Sequence, residues 1–426
     1  MRDISSTATA IACSSILSLS AAAAELRFQP YQLKTFDGTD HQAELGQLTV
    51  VENRASTSKR TIEIDFVRLR TTASTPGSPI VFIAGGPGVP GAVMGRIPPF
   101  FKLFDRLRDI GDVILLDQRG TGMSKPALDC PAAESAPVDV IESAKKAADY
   151  MANVNQRCVN RWRAEGVDVS AYNAVLAAVI GPDNALTLPD TWDVQIEKLS
   201  RLTGSDFTGT VMRVLDAVEK KPLELTVNDR LRRSTVKVRI GRIALQTILQ
   251  GIGDGRAATS TMDLFSNIAK GDYESLAKRA EGLYNSISGT AIFPVATSCA
   301  DGASPQRRAR VAEQANGSMV GDVNLQMRPE ICRLYVPADR RPESLPRVMA
   351  TPTLMLSGTL DPVAPPFQAE AVRWRMSDAP HIVVENAFHD TLPMTDVQNV
   401  VHDFLKGVDV RGRVLRFERP QLSGHQ

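Results

Sequence analysis

Two nearly unbroken apolar runs, Pro79-Ile80-Val81-Phe82-Ile83 and Asp112-Val113-Ile114-Leu115-Leu116, constrain this chain more than any other feature. A strand with one solvated face alternates apolar and polar side chains, so a continuous apolar run marks a strand covered on both faces. Each run passes straight into a glycine-bearing loop, Ala84-Gly85-Gly86-Pro87-Gly88 and Asp117-Gln118-Arg119-Gly120-Thr121-Gly122-Met123-Ser124. In open α/β sheets the loops at the C-terminal strand ends carry the chemistry. The expected class is α/β, with a mostly parallel sheet flanked by helices.

The flanking sequence gives that sheet its neighbours. Residues 25 to about 75 alternate with period two, most clearly at Leu48–Val51 and Thr61–Val67, as antiparallel strands with one wet face do. Alanine-rich helical sequence fills about 139 to 165, and a short apolar run, Ala174–Ile180, ends at Gly181-Pro182. From about 183 to 345 the sequence is charged and helical in pattern, without buried-strand runs, which predicts an inserted helical cap. Strand sequence resumes at Thr353–Leu356, helical sequence runs on to Met376, His381–Val384 is another strand, and Asp396–Leu405 another helix. Val408–Pro420 has a short alternation suited to an edge strand. The expected organisation is a leader at 1–24, a core in two parts at 25–182 and 346–426, and a cap at 183–345.

The leader reads as a secretory signal: Arg2, a mostly apolar stretch Ala8–Leu19, and the small residues Ala22-Ala23-Ala24 before Glu25. The plain alternative is an N-terminal helix. Cys13 fits a lipoprotein cysteine poorly, having no leucine three residues before it. Beyond the leader no apolar run approaches a membrane span. Export to a secreted or periplasmic location leaves Cys130, Cys158, Cys299 and Cys332, an even number that allows three pairings. The pairs Cys130 with Cys158 and Cys299 with Cys332 each close a local loop and are favoured; four buried thiols are the alternative. No Cys-x-x-Cys or clustered histidine suggests a metal, and no cofactor is expected. Lys and Arg number 49 against 48 Asp and Glu, so no basic excess points to nucleic acid.

Several loops carry candidate chemistry. Gly85 and Gly86 let backbone N–H groups approach a ligand and form an anion-binding nest, the place for a tetrahedral oxyanion, although a tight turn is the simpler reading of either glycine alone. Asp117–Ser124 by itself is an Asp/Gly turn with an arginine in a structural contact. Leu356-Ser357-Gly358-Thr359-Leu360-Asp361-Pro362 puts Asp361 just past a late strand, and His389 follows the next strand. Acid and imidazole can then meet at one sheet edge, Asp361 orienting His389 as general base and acid. His41, His381, His402 and His425 lack such context.

With these segments in view, the chain resembles the α/β-hydrolase serine peptidases of the prolyl aminopeptidase and tripeptidyl aminopeptidase type. Gly85-Gly86-Pro87-Gly88, the Asp117–Ser124 loop, Gly358-Thr359-Leu360-Asp361-Pro362 and the segment around His389 carry the resemblance. It implies an α/β-hydrolase fold with a helical cap, Asp361 and His389 as triad members, Gly86 as an oxyanion-hole donor, and release of residues from the N-termini of small peptides. Exported members often carry cysteine pairs placed like those above. Two departures stand out. Ala84 replaces a frequent histidine, and no Gly-x-Ser-x-Gly elbow follows a strand. Gly122-Met123-Ser124-Lys125-Pro126 lies in the wrong loop and Gly302-Ala303-Ser304-Pro305-Gln306 in the cap. Tyr172-Asn173 runs directly into Ala174–Ile180 and Gly181-Pro182-Asp183, so the family's central nucleophile strand, with roughly 40 residues of helix, strand and loop, is missing.

That gap predicts unpaired strand edges or new pairing in the sheet, with lower stability. Three readings follow: a serine aminopeptidase by descent with activity lost or impaired, a non-catalytic peptide-binding protein, or a poorly folding product. An esterase-type hydrolase is the runner-up within the enzymes. Oligomeric state is not legible.

Overall fold

The computed structural model describes residues 25–172, 186–336, 350–376 and 378–420. The leader with Cys13, the run Ala174–Ile180 with Gly181-Pro182, and both expected cap boundaries lie outside the described residues.

A five-stranded sheet comes first: β1 (Leu26–Lys34), β2 (Asp40–Val51), β3 (Thr61–Leu69), β4 (Ile80–Ile83) and β5 (Val113–Leu116), in the order β1-β2-β3-β5-β4. The first three ladders are antiparallel and only β4 and β5 run parallel. The sheet is therefore mixed, a correction to the mostly parallel expectation. Its alternating N-terminal strands pair onto the buried strand β5 through β3. Between β4 and β5 lie α1 (Gly91–Gly95) and α2 (Pro98–Leu107). Proline near the α2 start has no helical N–H to lose, and Phe100, Phe101, Leu103, Phe104 and Leu107 form one apolar stripe buried against Leu33, Val67 and Leu115.

After the two-residue strand β6 (Asp129–Cys130), α3 (Ala144–Ala164) starts where the Ser143 side chain accepts the Lys146 N–H. The middle of the chain holds α4 (Pro189–Thr203), α5 (Phe207–Lys220), β7 (Leu223–Asp229), β8 (Ser234–Ile240), α6 (Arg242–Leu249), α7 (Gly255–Ala269), α8 (Glu274–Ser286), β9 (Thr290–Ala291), α9 (Ile292–Asp301), α10 (Pro305–Gly317) and α11 (Pro329–Cys332). The hairpin β7-β8 corrects the expectation that this region is helical in pattern without buried-strand runs. Its strands carry a charged or polar residue at every second position, which keeps the segment hydrophilic while burying Val227, Val238 and Ile240 on the other face. The core of this region also takes in Ile141 from before α3, and Leu360 and Phe388 from the loops that carry the candidate acid and histidine.

The last part forms a separate three-stranded parallel sheet, β10 (Met355–Gly358), β11 (His381–Glu385) and β12 (Leu415–Arg416); α12 (Pro366–Arg373) packs on β10 and β11, and α13 (Thr395–Leu405) shares a core with β11 through Val397 and Val400. Among the described residues nothing pairs with the outer edge of β4 or of β10. Strand β4 is accordingly not covered on both faces as its sequence suggests: Val81 is 53% and Ile83 60% exposed. An apolar run predicts burial only where neighbours supply both a second layer and a second strand, and among the described residues β4 ends its sheet. Cys130 is bonded to Cys158 and Cys299 to Cys332, all within one buried cluster with Trp162 and Tyr172. No described helix is long and apolar enough to cross a membrane.

Candidate active site

Parallel pairing sets Gly358 beside Val384, so the loops after β10 and β11 leave the sheet at the same end. Two backbone bonds tie those loops together, Thr359 N–H to the Val384 carbonyl at 3.0 Å and Leu360 N–H to the Ala387 carbonyl at 2.8 Å, and the Asn386 N–H adds a third link to the Thr359 hydroxyl. Asp361 is 6% exposed. Its Oδ1 accepts the N–H groups of Val363 and Ala364, which starts the turn into α12, while Oδ2 lies 2.9 Å from His389 Nδ1. Residues of α4 and of the segment after α6 hold the two loops in place. Thr191 donates to the Pro362 carbonyl, Lys198 to the Thr359 carbonyl, and the His389 N–H to the Gly253 carbonyl.

A carboxylate only accepts, so the contact puts a proton on His389 Nδ1 and leaves Nε2 of the neutral ring as an acceptor. The hydrogen bond that His389 donates to Asp361, helped by the carboxylate's charge and opposed by burial, raises the His389 pKa above 6.5. The imidazolium is favoured in the folded state. This contribution to stability is fully present below 6.5 and is lost as pH rises through the raised folded value. With the ring 45% exposed, the effect on stability is small and the titration is the better readout. Asp361→Asn should bring the midpoint of the His389 imidazole NMR titration down to 6.5 or below; an unchanged midpoint would refute the coupling.

Gly85 and Gly86 follow β4 and line the same cavity as His389. Gly86 has φ +117°, a conformation that disfavours any side chain, and a Cβ there would meet Val89 at 2.9 Å. Neither glycine N–H donates to another described residue. The Asp117 loop is a brace beneath them. Buried Asp117 accepts the N–H groups of Ala92 and Met123, and burial raises its pKa. Gly122, at φ +56°, passes so close that a Cβ would sit 2.2 Å from the Asp117 carboxylate. Arg119 donates to the carbonyls of Glu52 and Ala171, not to a carboxylate.

Neither of the two elbow-like serines reaches the pair. Ser124 is fully buried, donating to the Asp117 carbonyl and accepting the Asp65 N–H, and Ser304 caps α10 by accepting the Arg307 N–H. Among the described residues His389 Nε2 meets no hydroxyl or thiol. A cavity of about 1020 Å³ is lined by residues at the C-terminal end of β4, among them Gly85 and Gly86, by Met355 and Ser357 of β10, and by His389.

One cluster escaped sequence reasoning. His381 Nδ1 lies 2.6 Å from Glu370 Oε1 and its Nε2 3.0 Å from Ser357 Oγ. Its signal was weak, a histidine opening one strand and a serine on another, and only the strand register brings them together.

In this mixed α/β fold an acid and a histidine leave adjacent parallel strands, and the histidine lines one cavity with a pair of glycines. Residues 318–412, which contain both Asp361 and His389, match the α/β-hydrolase family described as TAP-like protein, and this supports a TAP-like relationship. Among curated proteins none matches the chain.

Proposed function

We propose that this chain is an exported protein of serine-aminopeptidase descent that binds short peptides in the cavity that β4 and β10 both line and does not turn them over at the Asp361–His389 pair. The observation that carries this reading is the intact, oriented imidazole lining a large cavity, with no described nucleophile on its Nε2. Residues 173–185, outside the described residues, contain no Ser, Thr or Cys either. A general base without a hydroxyl to activate leaves only binding and the glycine nest, whose residual effect on rate is a small fraction of a complete triad's. Gly85, Gly86 and His389 then act as the polar end of a peptide site whose apolar lining includes Met355 and Val372. The two disulfides fit an oxidising compartment, secreted or periplasmic.

Calorimetry with a panel of two- to four-residue peptides tests this. Saturable heats are expected, with no release of free amino acid. Silence across the panel would count against the binding half of the reading, and aminopeptidase turnover that His389→Ala abolishes would overturn the other half.

A further inference from the structure

The parallel register pairs Met355 with His381 and Ser357 with Val383, so His381 and Ser357 point to one face of the second sheet as diagonal neighbours. Helix α12 packs against β10 and β11 and brings Glu370 to the far side of the imidazole. Glu370 also accepts from Arg373 Nε at 2.8 Å, which with the histidine bond keeps its carboxyl below the usual range and ionised. An ionised carboxylate accepts only, so Nδ1 carries the proton and Nε2 takes the hydrogen bond from the Ser357 hydroxyl. Ser357 is 4% exposed and borders the cavity. Gln368, 7% exposed, borders it too, and its Nε2 is buried without a partner among the described residues. An orphaned amide donor on the same cavity as a serine–histidine–carboxylate chain is a group that an ester carbonyl would satisfy.

We propose that Ser357, His381 and Glu370 form an acylating relay that opens into the cavity and takes small esters with uncharged, apolar acyl groups. The Ser357 Oγ attacks the acyl carbon while His381 Nε2 takes the hydroxyl proton. The carbon–alkoxide bond breaks and His381 returns that proton to the leaving alcohol. Water then attacks the acyl-serine by the reverse path, releasing the carboxylic acid and restoring Ser357. Glu370 is a positioning residue that holds the tautomer, and the apolar lining from Met355, Val372 and Met376 sets the acyl preference. This relay shares no residue with the Asp361–His389 pair, and it holds or fails independently of peptide binding.

The test is fluorophosphonate labelling of the full chain followed by tryptic mapping, because the peptide spanning 348–373 contains a single serine, Ser357. The expected result is the phosphonate on that peptide and p-nitrophenyl butyrate hydrolysis that falls about a hundredfold or more in Ser357→Ala and in His381→Gln. Glu370→Gln should slow labelling and Glu370→Asp should restore part of it, a rescue that loss of packing alone does not give. Label on any other serine, or none on folded wild-type protein at concentrations that saturate a control serine hydrolase, overturns the proposal without reference to any variant.

Discussion

Gly358→Ala should unfold this protein more readily than any other single methyl added to it near the site, and should uncouple the acid from the histidine at the same time. A Cβ at Gly358 would stand 2.2 Å from the Ala387 carbonyl oxygen and 2.4 Å from that of Phe388. Both obstacles are backbone, in the turn that delivers His389, so no side-chain rotation relieves the clash. The β10 strand and the 387–389 turn must separate, breaking the bond from Leu360 N–H to the Ala387 carbonyl and moving Asp361 from His389. The expected cost is about 4 kcal/mol or more, in the range of overpacked cores combined with lost buried contacts. Urea denaturation gives the stability, and the imidazole titration gives the coupling. Gly282→Ala is the matched control: it sits inside α8 with nothing within 4 Å of the added carbon, and it should stabilise by up to about 1 kcal/mol. A Gly358→Ala protein as stable as wild type would mean that the two loops are not in contact.

Removal of the disulfides should have the next largest effect. Cys130–Cys158 and Cys299–Cys332 close loops of 28 and 33 residues. By chain entropy alone each restricts the unfolded ensemble enough to contribute about 3.5 kcal/mol. Cys158→Ala and Cys332→Ala should each lose roughly that amount. Both bridges lie in one buried cluster, so the double variant is expected to depart from additivity. Because the four cysteines are mostly buried, reductant should act on the native protein only as fast as it opens. Equal melting curves with and without reductant, after alkylation confirms that all four thiols are free, would remove the disulfides from the account of stability.

How far the site was legible depends on how local each signal was. Asp361 and His389 each follow a strand that announces itself over four or five residues, and the order strand, acid, strand, histidine carries the pairing with it. The relay of Ser357, His381 and Glu370 has no such order. Its members sit within two strands and a helix, and their meeting depends on a register that changes by whole residues without altering the hydrophobic pattern. The β7-β8 hairpin escaped for a different reason. Its charges at every second position resemble those of a solvated helix until Val236, Val238 and Ile240 are seen to share a face.

The sequence by itself determined the α/β class, the strands at 80–83 and 113–116 with their glycine loops, and the strand-acid-strand-histidine order, because these rest on periodicity and turn chemistry within a few residues. Tertiary structure alone decided that, among the described residues, β4 and β10 end separate sheets that both line one cavity, and that a serine, a histidine and a glutamate align beside it. Strand adjacency and diagonal contacts are set by which backbone edges find partners, and edge pairing leaves almost no trace in the order of side chains.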